Sequence, residues 1–159
     1  MDIKLVKFTK NLISKSYLGW LNNPKLNKYS RLREKKNTKK DALNYLNQMR
    51  SNLFYAIILK KNNKHVGNIA AYLDDVNKIA DISILLAYQK KGYGLRAWKL
   101  MEEKLLKMKY RKITAGTMSN NLSMINLFKK RNMKFEYKKI KHFKYKGKLI
   151  DLIGYCKFL

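Results

Sequence analysis

Ile82-Ser83-Ile84-Leu85-Leu86-Ala87-Tyr88-Gln89-Lys90-Lys91-Gly92-Tyr93-Gly94-Leu95 is the stretch whose reading decides the fold. Its first five residues form an apolar run of strand length. A loop with two glycines follows, and an amphipathic run begins at Leu95. Strand, tight loop and helix start therefore fall in order. Glycine lets the backbone turn sharply and approach an anion closely. The first turn of the helix offers unpaired N–H groups and the positive end of its dipole. Lys90 and Lys91 add positive charge, so the loop suits a phosphate.

The loop is of a particular kind. It has no Gly-Lys-Ser/Thr ending, as a nucleoside triphosphatase loop would. It also lacks the third glycine of a dinucleotide fingerprint.

Working outward, Leu95, Trp98, Met101, Leu105 and Met108 recur at helical spacing after the loop. Lys112 to Thr117 reads as a short buried strand. Asn120 is placed to cap a helix over Asn121 to Arg131, with Met124, Ile125 and Phe128 turned inward. Phe135 to Tyr145 and Lys148 to Phe158, joined by Lys146-Gly147, read as a hairpin. Upstream, Phe54 to Leu59, His65 to Leu73 and Ile79 to Leu86 form a meander with turns at Lys61-Asn62-Asn63-Lys64 and Asp74 to Lys78. Thr38 caps a helix through Met49, with Asp41 three residues on. Leu12 to Leu21 reads as a first helix, ending near Asn22-Asn23-Pro24. The layout is mixed α/β: one mostly antiparallel sheet with helices on both faces, a single domain over residues 1–159.

Composition agrees with a globular chain of 159 residues, 46% of them hydrophobic. The only cysteine, Cys156, excludes an internal disulfide framework and suggests a reducing compartment. No signal-peptide core opens the chain, and no apolar run approaches the roughly 20 residues of a membrane span. A soluble, cytoplasmic protein is expected. The formal net charge of +27 favours anionic partners by steering. Bulk nucleic-acid binding is not the favoured explanation. The arginines are few, and the lysines are spread along the whole chain rather than gathered in a patch.

The pattern Gln89-x-x-Gly92-x-Gly94 after a strand resembles the acetyl-CoA pyrophosphate loop of the GNAT N-acetyltransferase superfamily. The segment Asn121-Leu122-Ser123-Met124-Ile125-Asn126-Leu127-Phe128-Lys129-Lys130-Arg131-Asn132-Met133 resembles that superfamily's Asn-x-x-Ala-x-x-Leu-Tyr-x-Lys-x-Gly-Phe. The resemblance implies a GNAT fold and acetyl-CoA as cofactor. It implies cofactor contacts from Leu85, Leu86, Tyr88, Gln89, Lys90, Lys91, Gly92, Tyr93, Gly94, Leu95, Asn121, Asn126, Phe128 and Lys130. Two departures stand out. Phe128 replaces a tyrosine that in many members protonates the leaving thiolate, and phenylalanine has no proton to give. Asn132-Met133 replaces Gly-Phe, and asparagine tolerates the left-handed backbone that the turn requires.

The segment from Tyr17 to Pro24, followed by Asn27-Lys28-Tyr29-Ser30, is similar to the opening of members that acetylate nucleotide-linked amino sugars. Ribosomal-protein N-terminal acetyltransferases open similarly, and both groups share a Gly-x-x-x-Asp-x-x-x-Tyr ending like Gly147, Asp151 and Tyr155 here. The likeness implies acceptor contacts from Trp20, Tyr29 and Arg33.

Acetyl transfer to an amine needs a held thioester, a polarised carbonyl and a base for the amine proton. The strand ending at Leu85-Leu86 is expected to pair with the pantetheine arm. Asp81 is the first candidate base, on the same strand face as Ser83 and Leu85. His142, on the final hairpin, is the second. No grouping of His, Cys or carboxylates has metal-ligand spacing. The expected activity is N-acetylation of a nucleotide-linked amino sugar, an anionic small molecule. Peptide N-terminal acetylation and an idle fold binding anionic surfaces remain as alternatives. A homodimer is also allowed for.

Overall fold

The computed structural model describes residues 2–88 and 91–159. Its sheet has seven strands in the order β1-β2-β3-β4-β5-β7-β6. They are β1 Ile3–Lys7, β2 Leu53–Leu59, β3 His65–Asp74, β4 Ile79–Leu86, β5 Lys112–Met118, β6 Lys134–Tyr145 and β7 Lys148–Phe158. Every neighbouring pair is antiparallel except β4 and β5, which run parallel. The helices are α1 Lys15–Leu21, α2 Pro24–Asn27, α3 Lys39–Gln48, α4 Tyr93–Lys107 and α5 Leu122–Lys130.

The alternation of strand side chains splits the core in two. Ile57, Ile69, Ala80, Ile82, Ile113 and Ala115 bury one face against Trp98, Met101 and Leu105 of α4 and Phe128 of α5. Phe54, Ala56, Ile58 and Ala70 bury the other against Tyr17 and Leu21 of α1, Ala42 of α3 and Met49. The expected mixed sheet with helices on both faces is therefore observed.

Local chemistry sets the ends of the helices. Thr38 and Asp41 form the expected capping box. Asp41 N–H donates to Thr38 Oγ1 at 3.2 Å, and Thr38 N–H donates to Asp41 Oδ2 at 2.8 Å. Asn121, not Asn120, caps α5, accepting from the Met124 N–H. Asn132 takes a φ of +56° just past α5, and the Met133 N–H returns to the Phe128 carbonyl. Lys146 and Gly147 both have positive φ, so the last hairpin turns as type I′. Glu102 of α4, only 6% exposed, meets Arg131 and Lys157, which ties α4 to the end of α5 and to β7.

Four features differ from the sequence expectation. β1 is an edge strand paired with β2, from Ile3↔Leu59 to Lys7↔Tyr55. Its two lysines make a polar edge that discourages further pairing. α1 starts only at Lys15, because the Ser14 side chain accepts from the Tyr17 N–H. α1 ends at Leu21 as expected, but Pro24 then starts a further short helix, α2, since a missing N–H costs nothing at the first helical position. Met108 lies past the end of α4 and is 44% exposed, outside the packed stripe.

Candidate active site

β4 and β5 pair for only three rungs: Ile79↔Lys112, Ala80↔Ile113 and Asp81↔Thr114. Beyond that point each strand keeps its outer partner. β4 stays on β3 to Gly67↔Leu86, and β5 stays on β7 to Met118↔Leu152. The sheet thus opens between them, and the inner edge of Ile82 to Leu86 has no neighbouring strand among the described residues. Both lips, Ile82 to Leu86 and Gly116-Thr117, line one cleft of about 1460 Å³.

The start of α4 closes one end of that opening. Gly92 caps it with a φ of +73°, a left-handed conformation that L side chains rarely adopt. A Cβ on Gly94 would stand 3.1 Å from Leu86 Cδ1 and 3.2 Å from Leu127 Cδ1, so the first turn sits tight against β4 and α5. This turn presents N–H groups that an α-helix cannot pair internally. Lys91 and Lys130 line the same region. Backbone donors, a dipole end and two cations together suit a diphosphate. The open strand edge suits the amide-bearing arm of coenzyme A, which can take the place of a strand. The residues therefore fit this cofactor.

The acceptor face is built in rows. Register pairing sets Tyr72, Asp81 and Thr114 side by side on one face, with Ala70 and Ser83 in the next row and Asn68 and Leu85 beyond. Thr114 Oγ1 donates to Asp81 Oδ1 at 2.8 Å. The Asp81 side chain opens to the cleft, yet protein surrounds the cleft floor. This burial raises its pKa above the usual carboxylate value, and the Thr114 hydrogen bond opposes the rise. The Tyr45 and Tyr72 hydroxyls lie 2.7 Å apart on the cleft wall. The buried Asn68 Oδ1 has no protein partner. Tyr29 donates to the Asn120 carbonyl at 3.3 Å, linking the segment after α2 to the loop before α5.

The structure brings most of the expected residues together. Asp81, Leu85, Leu86, Tyr88, Lys91, Gly92, Tyr93, Gly94, Leu95, Asn121, Asn126, Lys130 and Tyr29 all line the cleft. Gln89 and Lys90 lie outside the described residues. Four of the expected residues lie away from the cleft lining. Phe128 is 0% exposed and packs between Trp98 and Tyr155 in the core, because the apolar stripe of α5 faces the sheet. Trp20 packs edge-on against Tyr17 and His65, away from the cleft lining. Arg33 sits over the Phe143 and Tyr145 rings and lines a separate hollow with Pro24 and Lys146. His142 is exposed on β6 beside Phe143 and does not line the cleft.

Sequence reasoning missed Tyr45, Tyr72, Asn68 and Tyr137. The Tyr137 ring lies over Gly154, where any Cβ would clash with it, and its hydroxyl is 3.3 Å from where a Cβ on Gly116 would stand. Burial, then the charges of Asp81 and Glu136, raise the pKa of this phenol. The only sequence signal was the pair of strand glycines, which mark a close approach by another group. Among the described residues no group of His, Cys, Asp or Glu is arranged to hold a metal ion. No helix among them is long and apolar enough to cross a membrane.

The sequence model described as acetyltransferase (GNAT) family matches residues 18–133. No curated protein matches the chain. Among solved structures, a GNAT-family acetyltransferase from Bacillus anthracis is 20% identical, with a TM-score of 0.84 over 99% of this chain and 95% of that one. A ribosomal-protein-alanine N-acetyltransferase from Brucella melitensis is 15% identical, with a TM-score of 0.82 over 100% of both chains. A spermidine N-acetyltransferase from Vibrio cholerae, in complex with CoA and spermine, is 12% identical, with a TM-score of 0.87 over 98% of this chain and 95% of that one. At such identities the likeness is one of fold.

Proposed function

The chain belongs to the acetyltransferase (GNAT) family, and from that premise we propose that it uses acetyl-CoA to N-acetylate the amino group of an anionic small molecule, a nucleotide-linked amino sugar. It is an acyltransferase. The observation that carries the reading is the three-rung pairing of β4 with β5, which leaves the Ile82–Leu86 edge open beside the start of α4.

When bound, acetyl-CoA supplies an acetyl group activated as a thioester. The first-turn amides of α4, with Lys91 and Lys130, would hold its diphosphate. The open edge of β4 would orient its arm, and a backbone N–H there would polarise the thioester carbonyl. Asp81 accepts the amine proton at a carboxylate oxygen, directly or through cleft water. Burial raises its pKa, which makes it a stronger base than an ordinary carboxylate.

The charge around the acceptor end supports an anionic substrate. Lys25, Lys28 and Arg31 line that end, and none of the ion pairs among the described residues involves them. With a net charge of +27, they draw in a nucleoside diphosphate and repel a polyamine. The unpaired Cys156 supports a reducing, cytoplasmic setting. A homodimer is supported by the exposed Phe135, Ile140 and Leu149 on the last hairpin.

Thiol release from acetyl-CoA tests the reading, with UDP- and dTDP-amino sugars, a peptide with a free N-terminus, and spermidine as acceptors. Release with an amino sugar is the expected result. Release with only the peptide or only spermidine overturns the choice of acceptor, and release with none overturns the enzymatic reading.

A further inference from the structure

The opening between β4 and β5 has a second lip, and what crosses that lip has chemistry of its own. On the acceptor face the last paired rung is Asp81↔Thr114. The next residues on that face are Ser83 on β4 and Gly116 on β5, one on each side of the gap. Gly116 pairs with Gly154 on β7, and Gly154 pairs with Tyr137 on β6. Two adjacent strands thus carry glycine in the row where a long side chain from the third strand lies down. The Tyr137 ring occupies the space a Gly154 side chain would need, and its hydroxyl arrives over Gly116. A register shift between Phe135 and Tyr137 sets the ring in that row. The phenol, which does not itself line the cleft, therefore lies over Gly116 on the β5 lip, one row along β5 from Thr114, the partner of Asp81.

We propose that Tyr137 is a catalytic residue that donates its phenolic proton to the departing thiolate sulfur. The proposal rests on the acetyl-transfer reading above. Phe128 has no proton to give and is sealed in the core against Trp98 and Tyr155, so a side-chain acid has to come from another element. Tyr137 comes from the opposite face of the sheet, where Asp81 also lies.

The step balances within the chain. The amine nitrogen forms its bond to the acetyl carbon as the carbon–sulfur bond breaks. Asp81 takes the proton the nitrogen loses, and Tyr137 gives one to the sulfur. Return of the Asp81 proton to the phenolate through cleft water restores both groups. The raised pKa of Tyr137 keeps it protonated near neutrality, as an acid must be, and the negative charge of Asp81 contributes to that rise.

The test is Tyr137→Phe, which keeps the ring over Gly154 and removes only the hydroxyl. Turnover with acetyl-CoA is expected to fall roughly 10²-fold, with acetyl-CoA affinity unchanged by calorimetry. With an acetyl thioester of a much more acidic thiol, which leaves without protonation, the deficit should vanish. A readout without turnover is the ultraviolet titration of the thiol in bound CoA. Loss of the donor should raise that thiol's pKa by about one unit or more. Full turnover in Tyr137→Phe, an equal deficit with both thioesters, or an unshifted thiol titration overturns the assignment. If the wild-type protein acetylates no amine, the acetyl-transfer reading fails, and the thiol titration still decides whether Tyr137 meets the sulfur.

Discussion

Thr114 Oγ1 donates a 2.8 Å hydrogen bond to Asp81 Oδ1 across the last rung that joins β4 to β5. The bond fixes the carboxylate at the point where the sheet parts, and it stabilises the charged form against burial. The proposed base is thus held by the same strand pair that ends beside it.

Asp81→Asn keeps an acceptor for Thr114 and removes the base. The rate should fall by roughly 10²- to 10⁴-fold. In the wild-type protein kcat/KM should drop tenfold per pH unit below the Asp81 pKa, with a midpoint above the ordinary carboxylate value. Stability should move the other way. A carboxyl whose folded pKa is raised contributes fully below its unfolded pKa, about 3.9, and that contribution is lost as pH rises through the folded value. Urea unfolding near neutral pH should therefore show Asp81→Asn to be at least as stable as wild type.

Gly92→Val places a β-branched side chain at a φ of +73°, with no neighbour within 4 Å to collide with. The cost is backbone strain, about 1–2 kcal/mol. Relief of that strain shifts the start of α4 and its amides. Acetyl-CoA affinity by calorimetry should fall tenfold or more while circular dichroism stays native. Unchanged affinity would sink the loop assignment.

Gly154→Ala leaves the Tyr137 hydroxyl in place chemically but drives the ring off its seat. Its turnover should resemble that of Tyr137→Phe. The double variant should be little worse than either single one, since both remove the same contact. Additive losses in a double-mutant cycle would separate the two residues.

Lys28→Glu alters the charge at the acceptor end of the cleft. KM for an anionic amino sugar should rise several-fold, and the wild-type KM should rise with salt as screening grows. KM for acetyl-CoA should respond less to the substitution. A substrate whose KM ignores both changes is not being steered.

Thr38→Ala removes the capping box of α3, whose residues Asn44, Tyr45 and Gln48 line the cleft. A loss of about 1 kcal/mol in unfolding free energy is expected from chemical denaturation.

Strand and helix periodicity makes β2 to β5, α3, α4 and α5 legible in the sequence, because each alternates or repeats over enough residues to show a face. β1 and α2 were too short to show one, with five and four residues. The site was legible where it is local: the loop at Gly92 and the strand face of Asp81. It was not legible where it depends on which strands become neighbours. His142 and Tyr137 lie five residues apart on one strand, and only the pairing of β6 with β7 shows that Tyr137 is the one laid over Gly154 and Gly116. Trp20 and Arg33 carry suitable chemistry, yet aromatic neighbours hold them elsewhere.

The strand order has a consequence for synthesis. β5 is complete at Met118, but β7, which flanks it for seven rungs, begins only at Lys148. During translation, β5 therefore emerges with three rungs to one side and a bare edge on the other. The β5 edge thus stays open to wrong pairing until β7 has left the ribosome, and the sheet closes only with the last residues of the chain.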